Sequence, residues 1–464
     1  MQHLKQSGAA FEPTVARIEE HSESLRVAVT LEARFQRTKD GHVWTTQPFH
    51  YAFWSRYLDA FDEVAVIARI VEVESASVGS RRADGPGVTF SGLPNYHGVR
   101  QFLRSYILLR RAIRQAPAYD DAVILRVPSA LAILLASDLR RQRRPYAVEV
   151  VGDPADALAR RAIGHPLAPL IRWIFVRQLR GECAEAVAAA YVTKHALQDR
   201  YPAGKRRGSA VKWLPKRSYS YSDVGLVDDF RAPRNLAPLE SPIRSYSYSS
   251  VVLADGFRAP RSMAWPPTEM LLITVGSLEH YHKGTDTLIS AVAKCCRRGL
   301  KLRLEVIGDG RRKPRLATMV DRLGIKENVT FLGHLPAGEP VRDALDRANL
   351  FVLPSRTEGL PRAMLEAMAR GLPCIGSNVG GIPELLNKED LAPPADVDRL
   401  ASLIEAVVTD PTRMAAMAER CFAKAHEYRE EVLRPRRKEF LDFVRQKTEE
   451  WLATARPSSR QTAI

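Results

Sequence analysis

PSRTEGLPRAMLE (354–366) places two acids, Glu358 and Glu366, eight positions apart around Gly359 and Pro361. The preceding NLFVLPS (349–355) reads as a buried strand that stops at Pro354, and RAMLEAMARG (362–371) has helical spacing up to Gly371. The segment is therefore strand, acidic turn, helix. One carboxylate sits in the turn and the other about 7.5 Å along the helix, at about 1.5 Å of rise per residue. A helix N-terminus offers unpaired N–H groups and a positive dipole end, which suit a phosphate. Carboxylates beside that point can accept hydrogen bonds from sugar hydroxyls. The arrangement fits a ligand with both phosphate and sugar, although acids at such places are more often merely solvated.

Outward from this segment, strand and helix alternate. MLLITVG (270–276), LRLEVIGDG (302–310), VTFLGHL (329–335) and NLFVLPS are strand runs. TDTLISAVAKCCRR (285–298), PRLATMVDRLG (314–324) and EPVRDALDRA (339–348) are the helical stretches between them. The first half shows the same alternation. RVAVTLE (26–32), EVAVIARI (63–70), AVILRV (122–127), YAVEVVG (146–152) and AYVTK (190–194) are its strands, and HGVRQFLRSYILLRRAIRQA (97–116) is a helix. Buried strands alternating with helices predict parallel sheets, so the fold class is α/β with two Rossmann-like, doubly wound domains facing a central cleft. Ligands of such sheets sit beyond the carboxyl ends of the strands. Gly276, Gly308, Gly310, Gly333 and Pro354 stand at those ends.

The 464 residues exceed one core, and 45% hydrophobic with 26% charged residues is ordinary for a globular chain. No apolar run reaches the ~18–20 residues a bilayer span needs; SALAILLA (129–136) and AEAVAAAYV (184–192) fall short. No secretion signal is read, so the expected location is cytoplasmic; the basic charge of the chain leaves two alternatives, peripheral contact with the inner face of the cytoplasmic membrane or merely solvated faces. Five cysteines, Cys183, Cys295, Cys296, Cys374 and Cys421, show no C-x-x-C spacing and read as reduced thiols without a zinc site. Net charge is +16, with basic runs at RRQRR (140–144), KRR (205–207), RRK (311–313) and RPRRK (434–438). These runs are scattered and lack interleaved aromatics, which argues against a nucleic-acid partner. An anionic membrane surface and a phosphorylated substrate remain as partners for that charge.

RSYSYSDVGLVDDFRAPRNL (217–236) recurs as RSYSYSSVVLADGFRAPRSM (244–263), with 14 of 20 positions identical. Two copies are too few for a solenoid, so this is a duplicated interdomain segment with one copy looping out. The expected organisation is a flexible extension (1–24), an acceptor-binding domain (25–215), a linker with the duplication (216–265), a donor-binding domain (266–425), and a C-terminal helix returning to the first domain with a loose tail (426–464).

The run PSRTEGLPRAMLEAMARGLPCIGSNVGGIPELL (354–386), with VGSLEHYHKGTDTLISAV (275–292), LEVIGDG (304–310) and VTFLGHL (329–335), resembles the retaining glycosyltransferases of family 4, which have the GT-B fold and an E-x7-E signature. The resemblance is strong over 270–390. It implies a hexosyltransferase moving a sugar from a nucleoside-diphosphate sugar to a glycan or lipid-linked acceptor in cell-envelope or exopolysaccharide synthesis. Lys283 would meet the diphosphate. Glu358 would lie at the donor sugar, with Gly359, Leu360 and Pro361 beside it. Glu366 would hold the ribose, and Gly333, His334 and Leu335 would flank the base. Gly276, Ser277 and Gly308 complete the donor set. Ser277 stands where the family often has Arg, and Arg311 and Arg312 are candidates to replace that charge. Lys283 and Glu358 carry the catalytic expectation. The acceptor would meet the loop TLEARFQRTKDGHVWTT (30–46), with Gly41, His42, Trp44, Glu149 and Asp153 as candidates. No metal or cofactor is expected, because nothing resembles the D-x-D pair of the other transferase fold. A phosphorylase would need a Schiff-base lysine context, which is not found. A sugar-nucleotide epimerase and a non-catalytic sugar-nucleotide-binding protein stand as the alternative readings.

Overall fold

A computed structural model of the chain describes residues 24–96, 98–157, 168–204, 244–247, 253, 257–260 and 269–455. The first copy of the duplication lies outside these residues, as does the extension before residue 24.

Nine strands build the first sheet: β1 (Arg26–Arg37), β2 (Val43–Thr45), β3 (Glu63–Glu72), β4 (Arg81–Arg82), β5 (Val88–Leu93), β6 (Ala122–Val127), β7 (Ala147–Val150), β8 (Ala188–Tyr191) and β9 (Arg244–Ser247). Its parallel part runs β5-β3-β1-β6-β7-β8-β9, with β2 antiparallel on the far end of β1. Three helices, α1 (Gly98–Gln115), α2 (Ala130–Arg141) and α3 (Ala168–Glu185), cover one face. They follow β5, β6 and β7, and successive right-handed crossovers in one direction must put them on one side. Strand alternation shows the result. Val123, Leu125 and Val127 pack with Leu109 of α1, Leu131 of α2 and Leu179 of α3. Ala122 and Ile124 face the opposite side, with Trp54, Tyr57, Phe440 and Leu441. Each large side chain buried this way contributes about 1.5–3 kcal/mol.

Six parallel strands build the second sheet: β10 (Met270–Val275), β11 (Leu302–Ile307), β12 (Val329–Gly333), β13 (Leu350–Leu353), β14 (Cys374–Ser377) and β15 (Leu391–Ala392), in the order β12-β11-β10-β13-β14-β15. Its helices are α4 (Thr285–Arg297), α5 (Lys313–Leu323), α6 (Glu339–Arg347), α7 (Arg362–Ala369), α8 (Val397–Val408) and α9 (Pro411–His426). The long α10 (Glu430–Ala455) returns to the first half and places Phe440, Leu441 and Val444 in its core.

Two expectations need correction. Residues 30–46 are not a strand-to-helix loop. β1 continues to Arg37 because β3 runs beside it, across a register shift between Leu31 and Arg34, and pairs with it through Arg37↔Glu72, and Phe35 anchors the extension with no exposed surface. Only 38–42 turn, at the tip of the β1–β2 hairpin. The second copy of the duplication is also more than a connector. Arg244–Ser247 adds edge strand β9, and the main-chain N–H of Arg258 donates to Ala369 O at the end of α7 (2.8 Å).

Candidate active site

The second sheet reverses strand order between β10 and β13: β11 and β12 lie to one side of β10, β13 to β15 to the other. Such a switch point opens a crevice at the carboxyl ends of the strands. Lys283 follows β10 and Glu358 follows β13, so the pair spans this crevice. Lys283 Nζ lies 2.5 Å from Glu358 Oε1, and Ser355 Oγ donates to the same oxygen at 2.9 Å. The Lys283 stem lies across Gly276, where an added Cβ would come within 3.0 Å of Lys283 Cγ. Gly284 next to it adopts φ 69°, and a Cβ there would meet Pro354 O at 1.9 Å. The two strand ends therefore touch through glycine.

Glu358 and Gly359 are held from beneath by the Gly380–Gly381 turn. The Gly381 N–H donates to Gly359 O at 2.7 Å, and a Cβ on Gly380 would strike Glu358 O at 1.9 Å. Pro361 precedes α7 and has no N–H to give, while Leu360 is buried in the core. Glu366, on the second turn of α7, accepts from Arg362 Nε at 2.8 Å. Gly308 and Gly333 meet at the next strand ends, with the Gly308 N–H donating to Gly333 O at 2.7 Å. His334 beyond them is exposed and Leu335 half-buried. Ser277 is exposed, and its Oγ accepts from the Glu279 N–H (3.2 Å). Of its candidate replacements, Arg311 pairs with Glu279 and Arg312 stacks 4.4 Å over the Tyr281 ring. Burial, then the Lys283 charge, holds the His282 imidazole below its ordinary range.

The donor candidates thus gather along the carboxyl ends of β10 to β13. The acceptor candidates do not gather. Gly41 and His42 belong to the hairpin tip and Trp44 to β2 beside it; Asp84 engages both the His42 ring and the Val43 N–H, and Trp44 Nε1 donates to Thr38 Oγ1. Asp153 follows β7, three strands further along the sheet, and pairs with Arg200 and the Tyr201 hydroxyl. Glu149 is buried against Arg126 and the Tyr57 hydroxyl, which donates at 2.9 Å. Burial, then the negative charge of Glu149, raises the Tyr57 pKa.

A group that sequence reasoning missed sits at the switch point of the first sheet, between β1 and β6. Glu32 accepts from Ser129 Oγ (2.8 Å), the Leu131 N–H (3.3 Å) and the Tyr96 hydroxyl, and Arg69 lies 3.6 Å away. The carboxylate therefore occupies the N-terminus of α2, which favours negative charge. Part of the signal was present: β6 and β7 each carry one charged residue in an apolar run, Arg126 and Glu149, and Arg69 interrupts the apolar centre of β3, while Glu32 stands among the charged residues that end β1.

The halves meet through the second sheet's turns. Glu384 accepts from the N–H groups of Lys194 (2.6 Å), His195 (3.0 Å) and Ala196 (2.9 Å), and Lys194 Nζ pairs with Glu427 at 2.6 Å. A Cβ on Gly359 would lie 3.1 Å from Val151 O. His50 of the first half is held below its ordinary pKa by burial and by Arg81, then Arg362 of α7. Among the described residues no group of three or more His, Cys, Asp or Glu is placed to hold a metal, and no helix is long and apolar enough to cross a membrane.

The family model "Glycosyl transferases group 1" matches residues 257–424. The chain is 25% identical over 356 residues to Protein CapJ of Staphylococcus aureus, covering 77% of this chain and 80% of that protein. It is 33% identical over 144 residues to the phosphatidylinositol N-acetylglucosaminyltransferase gpi3 subunit of Schizosaccharomyces pombe, a match spanning 31% of each. Sucrose-phosphate synthase from Thermosynechococcus elongatus shares its fold at a TM-score of 0.62 and 15% identity, over 93% of this chain and all of that one.

Proposed function

We propose, from the premise that residues 257–424 are a glycosyl transferases group 1 domain set in a GT-B fold, that this chain is a retaining family 4 hexosyltransferase. It moves a sugar from a nucleoside-diphosphate sugar to a glycan or lipid-linked acceptor in cell-envelope or exopolysaccharide synthesis. The observation that carries the reading is the Lys283–Glu358 pair across the switch point of the second sheet. A departing diphosphate gathers negative charge, and an ammonium fixed beside a helix tip stabilises that charge as it forms. Glu358 neutralises Lys283 on one side and faces the sugar on the other, and Glu366 takes the ribose. The Glu32–Tyr96–Ser129 group, at the matching point of the first sheet, is the acceptor side. Its carboxylate, held by three donors, is oriented to accept from an acceptor hydroxyl. The likeness to a phosphatidylinositol N-acetylglucosaminyltransferase subunit supports a lipid-linked acceptor. The net charge of +16 supports work at an anionic membrane face on the cytoplasmic side.

Thermal shift with UDP-, GDP- and ADP-sugars, followed by slow donor hydrolysis without acceptor, tests this. One donor should raise the melting temperature and release its nucleoside diphosphate, with retention at the anomeric carbon. No response to any sugar nucleotide sinks the reading. Exposed Ser277, in place of a cation, favours a second reading as a non-catalytic binding protein. That reading predicts binding without release, and an epimerase would return an altered sugar nucleotide instead.

A further inference from the structure

The outer face of α1 carries large apolar side chains where a helix facing water carries polar ones. Leu109 and Ile113 turn inward and are fully buried. Leu103, Ile107 and Leu108 turn outward, at 64%, 80% and 64% exposure. Arg100, Arg104 and Arg111 share their stripe, at the spacings of three and four that define one helix face. The eighteen residues of α1 hold five arginines and no acid. Helix α3 repeats the pattern: Leu170, Trp173 and Ile174 are 53%, 58% and 38% exposed, and Arg172 is exposed among them. Arg177 lies 5.4 Å over the Trp173 ring. Solitary exposed apolar residues are ordinary, but two such stripes on one side of a domain are not.

The two helices flank α2 on the same face of the first sheet. Helix axes pack ~8–10 Å apart, so the stripes lie about 20 Å from each other. The α3 stripe occupies the N-terminal half of its helix and the α1 stripe the middle of its own, and both helices begin at the carboxyl ends of the strands. That is the end where Glu32 and Ser129 sit, so the face adjoins the mouth of the cleft. Beside Trp173, a groove of about 1220 Å³ lined by Arg140, Arg143, Arg144 and Arg180 extends the positive surface.

We propose that α1 and α3 form a docking face for an anionic lipid bilayer. Leu103, Ile107, Leu108, Leu170 and Trp173 enter the boundary between headgroups and acyl chains, and the arginines lie on lipid phosphates. A basic helix with an apolar outer stripe binds such surfaces through buried area plus the attraction of its basic side chains to anionic headgroups. Charge selects this occupant over a second copy of the chain, because two copies would set like-charged stripes against each other. The proposal rests on the reading of a lipid-linked acceptor, which the face would bring to the cleft.

The test is sedimentation of the full chain with vesicles of phosphatidylcholine alone, or of phosphatidylcholine and phosphatidylglycerol in equal parts. The chain should pellet with the anionic vesicles only, and less as salt rises. A Leu103→Ser/Ile107→Ser/Leu108→Ser variant should bind them about tenfold more weakly or worse. An Arg100→Ser/Arg104→Ser/Arg111→Ser variant should lose most of the salt-sensitive part. Both sets are surface residues, so circular dichroism and donor hydrolysis should match the parent. The proposal falls if the parent fails to pellet, pellets equally with neutral vesicles, or if the serine variants bind as it does. It also falls if those substitutions turn a dimer into a monomer, since the face would then join copies of the chain. Vesicle binding without donor binding would leave this face standing and remove the transferase reading; donor turnover without vesicle binding would do the reverse.

Discussion

Lys283 and Glu358 lie 75 residues apart in sequence, and their side chains meet at 2.5 Å where the second sheet reverses its strand order. The first sheet has its own reversal between β1 and β6, and there Glu32 and Ser129 meet at 2.8 Å. Each half thus holds a hydrogen-bonded carboxylate at the one point where its sheet opens. A sugar passed between two such points would have an acid on either side of it.

Lys283→Met keeps the aliphatic stem on Gly276 and deletes the charge. Donor hydrolysis should fall about 10²–10³-fold, as for other single groups that stabilise developing charge. The melting temperature should drop by about 5 °C or less, since the pair is only partly buried. Turnover equal to the parent's would remove Lys283 from the mechanism.

Glu366→Ala should raise the dissociation constant for the sugar nucleotide about tenfold, the worth of one good hydrogen bond. Calorimetric titration reads it directly. Because Arg362 loses its partner, Arg362→Ala serves as the control; an equal loss in both variants would assign the effect to the ion pair rather than to the ribose.

Gly284→Ala tests the touching strand ends. The left-handed backbone and the Pro354 carbonyl leave no room for a methyl group. Denaturant titration should show a loss of about 2 kcal/mol or more. A loss under half that would mean that the β10 and β13 ends can part without consequence.

Glu384→Ala removes the acceptor for three main-chain N–H groups. Hydrogen exchange at Lys194, His195 and Ala196 should speed up while amides in β10 and β11 stay protected. Unchanged exchange at the three amides would show that the halves are fastened elsewhere.

Glu182 gives a pH signature. Burial raises its carboxyl to about 7, against 4.5 when unfolded, and its Oε1 has no partner among the described residues. Between these values the folded chain binds a proton that the unfolded chain releases. Stability is therefore greatest below pH 4.5 as far as this group is concerned, and it declines as pH rises through about 7. Glu182→Gln should raise the melting temperature at pH 8 and change it little at pH 5. Equal shifts at both would place the effect in packing instead of charge.

The second sheet was legible because its strands are short apolar runs, most of them ending in Gly or Pro, and the acidic turn follows one of them. The first half was harder to read. Val27 to Leu31 announce a strand, but Glu32, Arg34, Gln36 and Arg37 look like the start of a loop. They stay extended because β3 lies alongside for its full length, a partner 35 residues away that no local pattern displays. The same distance hid the Glu32 group, whose members Arg69, Tyr96 and Ser129 come from three separate elements. Asp153 drew notice for standing at a strand end, but its ties to Arg200 and Tyr201 are tertiary.

The Glu384 contact has an evolutionary corollary. Every residue but proline presents the same amide, so the three positions it grips can change identity without altering the grip. Positions 195 and 196 are thereby released to vary toward whatever they must face, while Glu384, with Glu427 on the Lys194 side chain, preserves the alignment of the two halves. Drift would concentrate on one side of the joint and constancy on the other.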